Sequence, residues 1–318
     1  MRLLVTGGAG YIGSIMAAYF LEAGHEVVVI DNLSRGYKEA VPAGSRFIEA
    51  DINELANVLS KDDAIEAVVH LAALAAVGES MAHPDMYWQN NVVGTLALLE
   101  AMRELDIPKL VFASSCAAYG IPDSAPITED MPTKPVNAYG MTKLAIDMAL
   151  TSYVQAYGLD VTSLRFFNVA GAYKNFGERH NPESHIIPLA LSVAADHKPY
   201  FSMFGDDYET PDGSCVRDYI HVLDLADAVL LALERMKQGE HAIYNLGNGD
   251  GFSNKQVITA VEAVTGKILD VRTEPRRPSD PPKLISSNQK IKNELSWTPQ
   301  RPELHDMIES AWKFYRSL

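Results

Sequence analysis

Tyr139 and Lys143 lie four residues apart in the run Tyr139-Gly140-Met141-Thr142-Lys143. On a helix that spacing places a phenol and an ammonium on one face. A phenol ordinarily ionises near about 10, so it acts as a base at neutral pH only with help. A neighbouring ammonium helps by favouring the phenolate. Of the fourteen tyrosines, only Tyr139 has a lysine four positions on. Ser115 closes an apolar run over residues 109–114 and adds a hydroxyl that can hold a reacting oxygen or relay its proton. Together the three suit proton abstraction from an alcohol. The plainer reading is an accidental helical pair and a buried serine, so the rest of the chain must decide.

A second constellation opens the chain. Thr6-Gly7-Gly8-Ala9-Gly10-Tyr11-Ile12-Gly13 follows a short apolar run and precedes a helical pattern. Gly7, Gly10 and Gly13 stand where a tight turn, a close approach to a pyrophosphate and helix-on-strand packing each require glycine. The helix N-terminus then offers N–H groups and a positive dipole end to phosphates. Asp31 follows Gly13 by 18 residues, at the end of a second apolar run. Its carboxylate can accept from both hydroxyls of an adenosine ribose and would repel a 2′-phosphate. The expected cofactor is therefore NAD, not NADP.

These residues need a scaffold, and the texture supplies one. Residues 3–6, 27–30, 46–50, 67–71, 109–114 and 161–168 read as strands. Helices are expected over 11–23, 52–59, 85–105 and 139–157. The alternation predicts an α/β fold, a doubly wound parallel sheet of Rossmann type. After Asn168 the periodicity weakens. Residues 169–184 and 198–218 read as loops and small elements of a smaller C-terminal substrate-binding lobe. A helix over 224–236 and a strand over 243–246 return to the sheet, and helices follow over 254–265 and 304–315. The expected division is an NAD-binding domain over 1–168, rejoined by about 219–247, and a substrate lobe over 169–318, discontinuous in sequence.

Bulk properties narrow the class. The chain has 318 residues, 47% hydrophobic and 21% charged, so it can bury a large core. A net charge of −14 argues against a nucleic-acid-binding face and leaves anionic ligands to helix N-termini and single arginines. The two cysteines, Cys116 and Cys215, form no zinc spacing or disulfide framework, which suits a reducing cytoplasmic compartment. Only Leu3-Leu4-Val5 leads into the glycine loop, too short for a secretory signal, and no apolar stretch matches a bilayer span, so no membrane partner is expected.

With these motifs the chain resembles the extended short-chain dehydrogenase/reductases, and within them the UDP-glucose (UDP-galactose) 4-epimerases. The likeness runs nearly end to end. It is carried by Asp31-Asn32-Leu33-Ser34, His70-Leu71-Ala72-Ala73, Val77-Gly78-Glu79-Ser80, Asn90-Asn91-Val92, Arg165-Phe166-Phe167-Asn168-Val169-Ala170-Gly171, Val216-Arg217-Asp218-Tyr219-Ile220-His221-Val222, and Arg276-Arg277 with Asp280. The resemblance implies an NAD-dependent isomerase of galactose metabolism. It would oxidise C4 of the sugar to a ketone, let the sugar rotate, and reduce it from the other face. It implies Tyr139 as the base, Lys143 as the group lowering its pKa and holding the nicotinamide ribose, and Ser115 as a contact to the sugar O4. Gly7, Gly10, Tyr11, Ile12, Gly13, Asp31, Asn32, Asp51, Ile52, Leu71, Ala73, Asn90, Lys143 and the backbone near Phe167 would line the NAD site. Ser115, Tyr139, Asn168, His185, Ile186, Ser202, Phe204, Arg217, Arg277 and Asp280 would line the UDP-sugar site, where forked guanidiniums suit a diphosphate. A homodimer through the two long helices is also implied.

Some positions depart from the family pattern. Ile15 replaces a common histidine in the first helix. Ala75 replaces a lysine that in some members helps keep the cofactor. Cys116 stands where small residues are usual. Leu284 replaces a bulky tyrosine, which would leave room for an N-acetylated sugar. Other UDP-sugars (N-acetylhexosamine, uronic acid, pentose) are therefore alternative substrates. A 4,6-dehydratase would need an added acid and base after Ser115, where this chain has Cys116-Ala117. A dinucleotide-sensing regulator would lack Tyr139 or Lys143. Glu178, His180, Glu183 and His185 raise a metal site, but they lack helical i, i+4 spacing, so the expectation is no metal.

Overall fold

The computed structural model describes residues 1–277 and 280–318. Its contacts divide into two compact units. The first comprises Met1–Gly120, Thr133–Phe166 and Ala226–Tyr244, and the second Ile121–Pro132, Phe167–Leu225 and Asn245–Leu318.

The first unit is built on a seven-stranded sheet. From edge to edge its strands are His241–Leu246, Asp160–Phe166, Lys109–Ser115, Ala67–His70, Arg2–Thr6, Glu26–Asp31 and Arg46–Glu49. Pairing among the last six is parallel throughout. Strands buried on both faces carry unbroken apolar runs, as Leu3-Leu4-Val5 and Val27-Val28-Val29-Ile30 do. The strand order reverses between Arg2–Thr6 and Ala67–His70. In a doubly wound sheet ligands bind at the carboxyl ends on either side of such a switch point. Gly7 and Leu71 are the first residues past those two ends.

Helices cover the sheet because their apolar faces have nowhere else to go. Leu98, Leu99, Ile146, Leu150 and Val154 pack with Leu4, Val28, Leu110, Phe112 and Val161 in one cluster. Each such buried aliphatic contributes about 1.5–3 kcal/mol. The helix expected over 85–105 is present but not uniform. It runs as Pro84–Tyr87, a π-helical turn Trp88–Val93, and Gly94–Glu104. The helix Ala138–Tyr157 starts at Asn137, whose side chain accepts from Gly140 N at 2.7 Å.

In the second unit the strand Val216–His221 pairs antiparallel with Gly251–Ser253 and parallel with Asn168–Ala170 and Lys283–Leu284. Phe201–Phe204 pairs with Val271–Glu274. Helices Ile186–Ala194, Asn254–Thr265 and Leu304–Tyr315 bury Ile187, Leu191, Val257, Val261, Met307 and Ile308 together. Residues 198–218, expected as loops and small elements, contain one short strand and open another. Their alternation is short and interrupted by Gly205, Asp206 and Asp207. Residues 121–132, which the sequence leaves with the first domain, group with the second unit, where Ile127 N donates to Ile285 O at 2.7 Å. Among the described residues, no helix is long and apolar enough to cross a membrane.

Candidate active site

The end of the first strand turns sharply at Gly7, with φ +70°. A Cβ there would stand 2.7 Å from Ala72 N, so the loop is pressed against the chain leaving the fourth strand. A Cβ on Gly13 would stand 2.2 Å from Gly7 O, so the first helix sits directly on the loop. Gly10 differs. Apart from Gly7 O at 3.3 Å, a Cβ there would meet nothing within 4 Å. Gly10 precedes the helix Tyr11–Glu22 with no side-chain cap and no acidic residue in the first turn. Tight below and open above, ahead of a helix dipole, this backbone fits a pyrophosphate.

Asp31 ends the second strand, 9% exposed. Its Oδ2 accepts from Ala9 N at 3.0 Å and its Oδ1 from Leu33 N at 2.8 Å. Burial raises its pKa. Each oxygen has a further lone pair for a ribose hydroxyl. Asp51 holds the next segment: its Oδ2 accepts from Asn32 Nδ2 at 2.8 Å and its Oδ1 from Asn53 N at 3.0 Å. Ile52 is partly buried against the Leu98 core. Leu71 N donates to Thr6 O at 3.2 Å, and Ala73 lies two residues further along that loop. Asn90 lies in the π turn and donates to Asn91 Oδ1 at 3.0 Å. The glycine cradle and Asp31 fit an NAD molecule. Phe167 is the exception by position: it belongs to the second unit, where its N–H meets Leu246 O at 3.1 Å.

Ser115 ends its strand and caps the turn Cys116–Tyr119, accepting from Ala117 N at 3.1 Å. The next helix approaches that turn closely: a Cβ on Gly140 would stand 2.5 Å from Ala117 O. Gly140 therefore lets the helix bring Tyr139 in against the turn that Ser115 caps. Burial pushes the phenol up to about 12, and the neighbouring Ser115 hydroxyl draws it back down. Lys143 is buried, donates from Nζ to Ala113 O at 2.7 Å, and has Nζ 5.8 Å from the Tyr139 ring centre. Burial lowers its pKa to about 8, so it stays mostly charged at neutral pH. Asp147 continues the stripe four residues on. It is buried, and Arg165 binds it through Nε at 3.2 Å and Nη2 at 3.1 Å. Arg165 also donates to the Tyr119 hydroxyl at 2.8 Å. Sequence reading missed this pair, although the i+4 continuation from Lys143 was its signal.

Three other buried groups stand in the family stretches with no role assigned to them from the sequence. Asn91 accepts from Leu74 N at 2.8 Å and donates to Leu74 O at 3.0 Å and Thr142 Oγ1 at 3.2 Å. His70 bridges Thr6 Oγ1 at 2.7 Å and Thr95 Oγ1 at 2.9 Å. Asp218 accepts from Asn248 N, Gly249 N, Ser286 N and Ser286 Oγ. Burial raises its pKa to about 6.

In the second unit, Asn168, His185, Ile186, Ser202, Phe204, Arg217, Arg277 and Asp280 all line one cavity of about 190 Å³. The Arg277 guanidinium lies over the Phe204 ring at 4.1 Å, and Arg217 pairs with Asp280. Arg217 sits on the strand Val216–His221, in register with Leu284. A forked cation beside a stacked one matches an anionic nucleotide. Glu178 and Tyr219 also line the cavity, without having been singled out for it. The loop before the helix Ile186–Ala194 gathers Glu178, His180, Glu183 and His185, although their spacing is not helical. The Glu178 carboxyl bonds His180 Nδ1 at 2.8 Å and His185 Nδ1 at 2.7 Å.

Residues 3–247 match the NAD dependent epimerase/dehydratase family. The chain is 55% identical to a UDP-glucose 4-epimerase of Corynebacterium glutamicum over 318 residues, covering all of this chain and 97% of that one. A UDP-glucose-4-epimerase from Stenotrophomonas maltophila, solved with NAD and formylated UDP-arabinopyranose, superposes with a TM-score of 0.95 at 38% identity, covering 100% of this chain and 98% of that one. The UDP-Glc/GlcNAc 4-epimerase of Campylobacter jejuni superposes with a TM-score of 0.87 at 38% identity, covering 100% and 99%. The match spans well over half the chain and includes the glycine cradle, Asp31, Ser115, Tyr139 and Lys143: this chain belongs to the NAD dependent epimerase/dehydratase family.

Proposed function

We propose that the chain is an isomerase interconverting UDP-galactose and UDP-glucose, with NAD as a resident cofactor. The observation that carries this reading is Tyr139 set against the turn capped by Ser115, with the buried Lys143 Nζ 5.8 Å from its ring. The full-length identity to the Corynebacterium glutamicum enzyme supports the choice of substrate. Gly7, Gly10, Gly13, Tyr11, Ile12, Asp31, Asn32, Asp51, Ile52, Leu71, Ala73, Asn90, Lys143 and Phe167 would hold NAD. Bound NAD supplies the oxidation of C4 and the reduction that reverses it.

The chain's own residues supply the proton traffic and the grip. Tyr139 Oη removes the proton of the C4 hydroxyl and later returns one, so a single base serves both half-reactions. Ser115 Oγ orients the sugar oxygen. The Lys143 charge favours the phenolate against the burial that raises it. Asp147 and Arg165 fix the helix stripe from beneath. Arg217 and Arg277 clamp the diphosphate, with Asn168, His185, Ile186, Ser202, Phe204 and Asp280 around the nucleotide. Cys116 and Ala117 offer no acid and base for a dehydration. Tight hold on the nucleotide with little on the sugar lets the ketone present either face.

The test is an assay with UDP-galactose and no added NAD. The wild-type enzyme should turn over, while Tyr139→Phe should lose about 10²–10⁴-fold in kcat with its NAD content unchanged. Normal turnover by that variant would sink the assignment. Leu284 beside Arg217 favours a second substrate, a UDP-N-acetylhexosamine, as does the likeness to the Campylobacter jejuni enzyme. UDP-GlcNAc should then compete with UDP-galactose and itself be epimerised. The enzyme would work in the cytoplasm, whose reducing conditions suit the thiols of Cys116 and Cys215. It would do so as a homodimer.

A further inference from the structure

Glu178, His180, Glu183 and His185 come from one short loop, and their ligand-type atoms cluster together. One donor atom from each lies within 4.8 Å of all the others. His180 Nδ1 and His185 Nδ1 stand 2.8 and 2.7 Å from Glu178 Oε1. His185 Nδ1 stands 3.0 Å from Glu183 Oε1. The two imidazole rings are 5.4 Å apart. Four ligand atoms bound at about 2.0–2.1 Å around one ion are separated by little over 3 Å, close to these spacings.

Neither carboxylate is a free surface group. The Glu178 and Glu183 side chains are only 11% and 17% exposed. Glu183 is held in place by accepting from His185 N at 2.8 Å. His185 directly precedes the helix Ile186–Ala194, which anchors one end of the loop in the core of the second unit.

We infer that these four side chains form a binding site for a divalent transition-metal ion, zinc by preference. Two imidazoles and two carboxylates in a closed four-ligand set suit zinc better than calcium or magnesium, which take more oxygen ligands. The two carboxylates neutralise the ion's charge, so the filled site adds no net charge beside the cavity. With four protein ligands the ion is structural. It pins the loop that carries Glu178 and His185 to the cavity wall. The proposal is independent of the sugar's identity.

The test uses the full-length, untagged enzyme with its NAD. After chelation and dialysis, cobalt(II) is titrated in and then displaced by zinc. One cobalt per chain should bind and give the visible bands of a four-coordinate ion, with zinc abolishing them. Zinc should also raise Tm. The variant H180A/E183Q, neither residue of which lines the cavity, should lose the bands and bind at least about a hundredfold more weakly, since even outer-shell changes weaken metal sites by 10–100-fold. NAD content and far-UV circular dichroism report that the variant is folded. If the variant does not fold, the single substitution His180→Gln gives the same comparison. Substoichiometric cobalt, six-coordinate bands, or equal binding by wild type and variant would mean an adventitious ion only and would overturn the proposal.

Discussion

His70 lies at the carboxyl end of its strand and ties together three segments of the cofactor cradle. Thr95 Oγ1 donates to Asn91 O at 2.5 Å, so it accepts from His70 Nε2–H. His70 Nδ1 must then accept from Thr6 Oγ1. The ring is neutral with a fixed tautomer, and burial lowers its pKa to about 3. Unfolded, the same imidazole takes its proton near about 6.5. Between these values the unfolded chain binds more protons, so stability is present above pH 6.5 and is lost as pH falls towards 3. The slope is about 1.4 kcal/mol per pH unit, or about 2 kcal/mol between pH 7 and pH 5. Urea unfolding of the wild type and His70→Gln at both pH values should show that extra loss in the wild type alone. Equal losses would remove His70 as the source.

At the scale of elements, the helix from Pro84 to Glu104 shows what a motif conceals. Its π turn, Trp88–Val93, shifts register so that Asn91 faces inward to Leu74 while Asn90 stays at the partly exposed edge. Asn91→Ala would leave the partly buried N–H and C=O of Leu74 without these partners, at a cost of about 1–2 kcal/mol. The loop after His70 should loosen, so the variant should also lose NAD during dialysis that the wild type withstands. A stable variant that keeps its NAD would show that Leu74 finds other partners. The same comparison shows how far the sequence speaks. Strands with unbroken apolar runs and helices with an apolar stripe are visible because their periodicity is local. Gly7, Gly10, Gly13, Tyr139 and Lys143 are visible because their chemistry depends on short spacings. Asp147 with Arg165, and Asp218 with Ser286, pair across long sequence separations, so although Asp147 stands one helical turn past Lys143, no local spacing names either partner. The Glu178–His185 loop was set aside because it lacks a helical repeat, whereas its side chains converge through the path of the backbone.

For the whole molecule, the first unit carries an exposed apolar surface that calls for a cover. Val77, Met81, Trp88, Val93, Leu96, Met141, Met148 and Tyr157 are all exposed, and all lie on three neighbouring helical stretches between residues 77 and 157. They make up eight of the twelve large hydrophobic side chains exposed among the described residues. Scattered exposed apolar residues need no explanation, but a concentration like this marks an interaction surface. A second copy of the chain fits it best, because a two-fold interface sets the same patch against itself. Under that symmetry one substitution places two like charges in one apolar contact. Met81→Glu with Met148→Glu should therefore weaken association by several kcal/mol, more than a hundredfold in Kd. Both side chains are more than 60% exposed, so the fold should tolerate the change. Sedimentation velocity at micromolar concentration should show a dimer for the wild type and a monomer for the double variant, each retaining NAD. A wild-type monomer, or a variant that remains dimeric, would place the interface elsewhere or remove it.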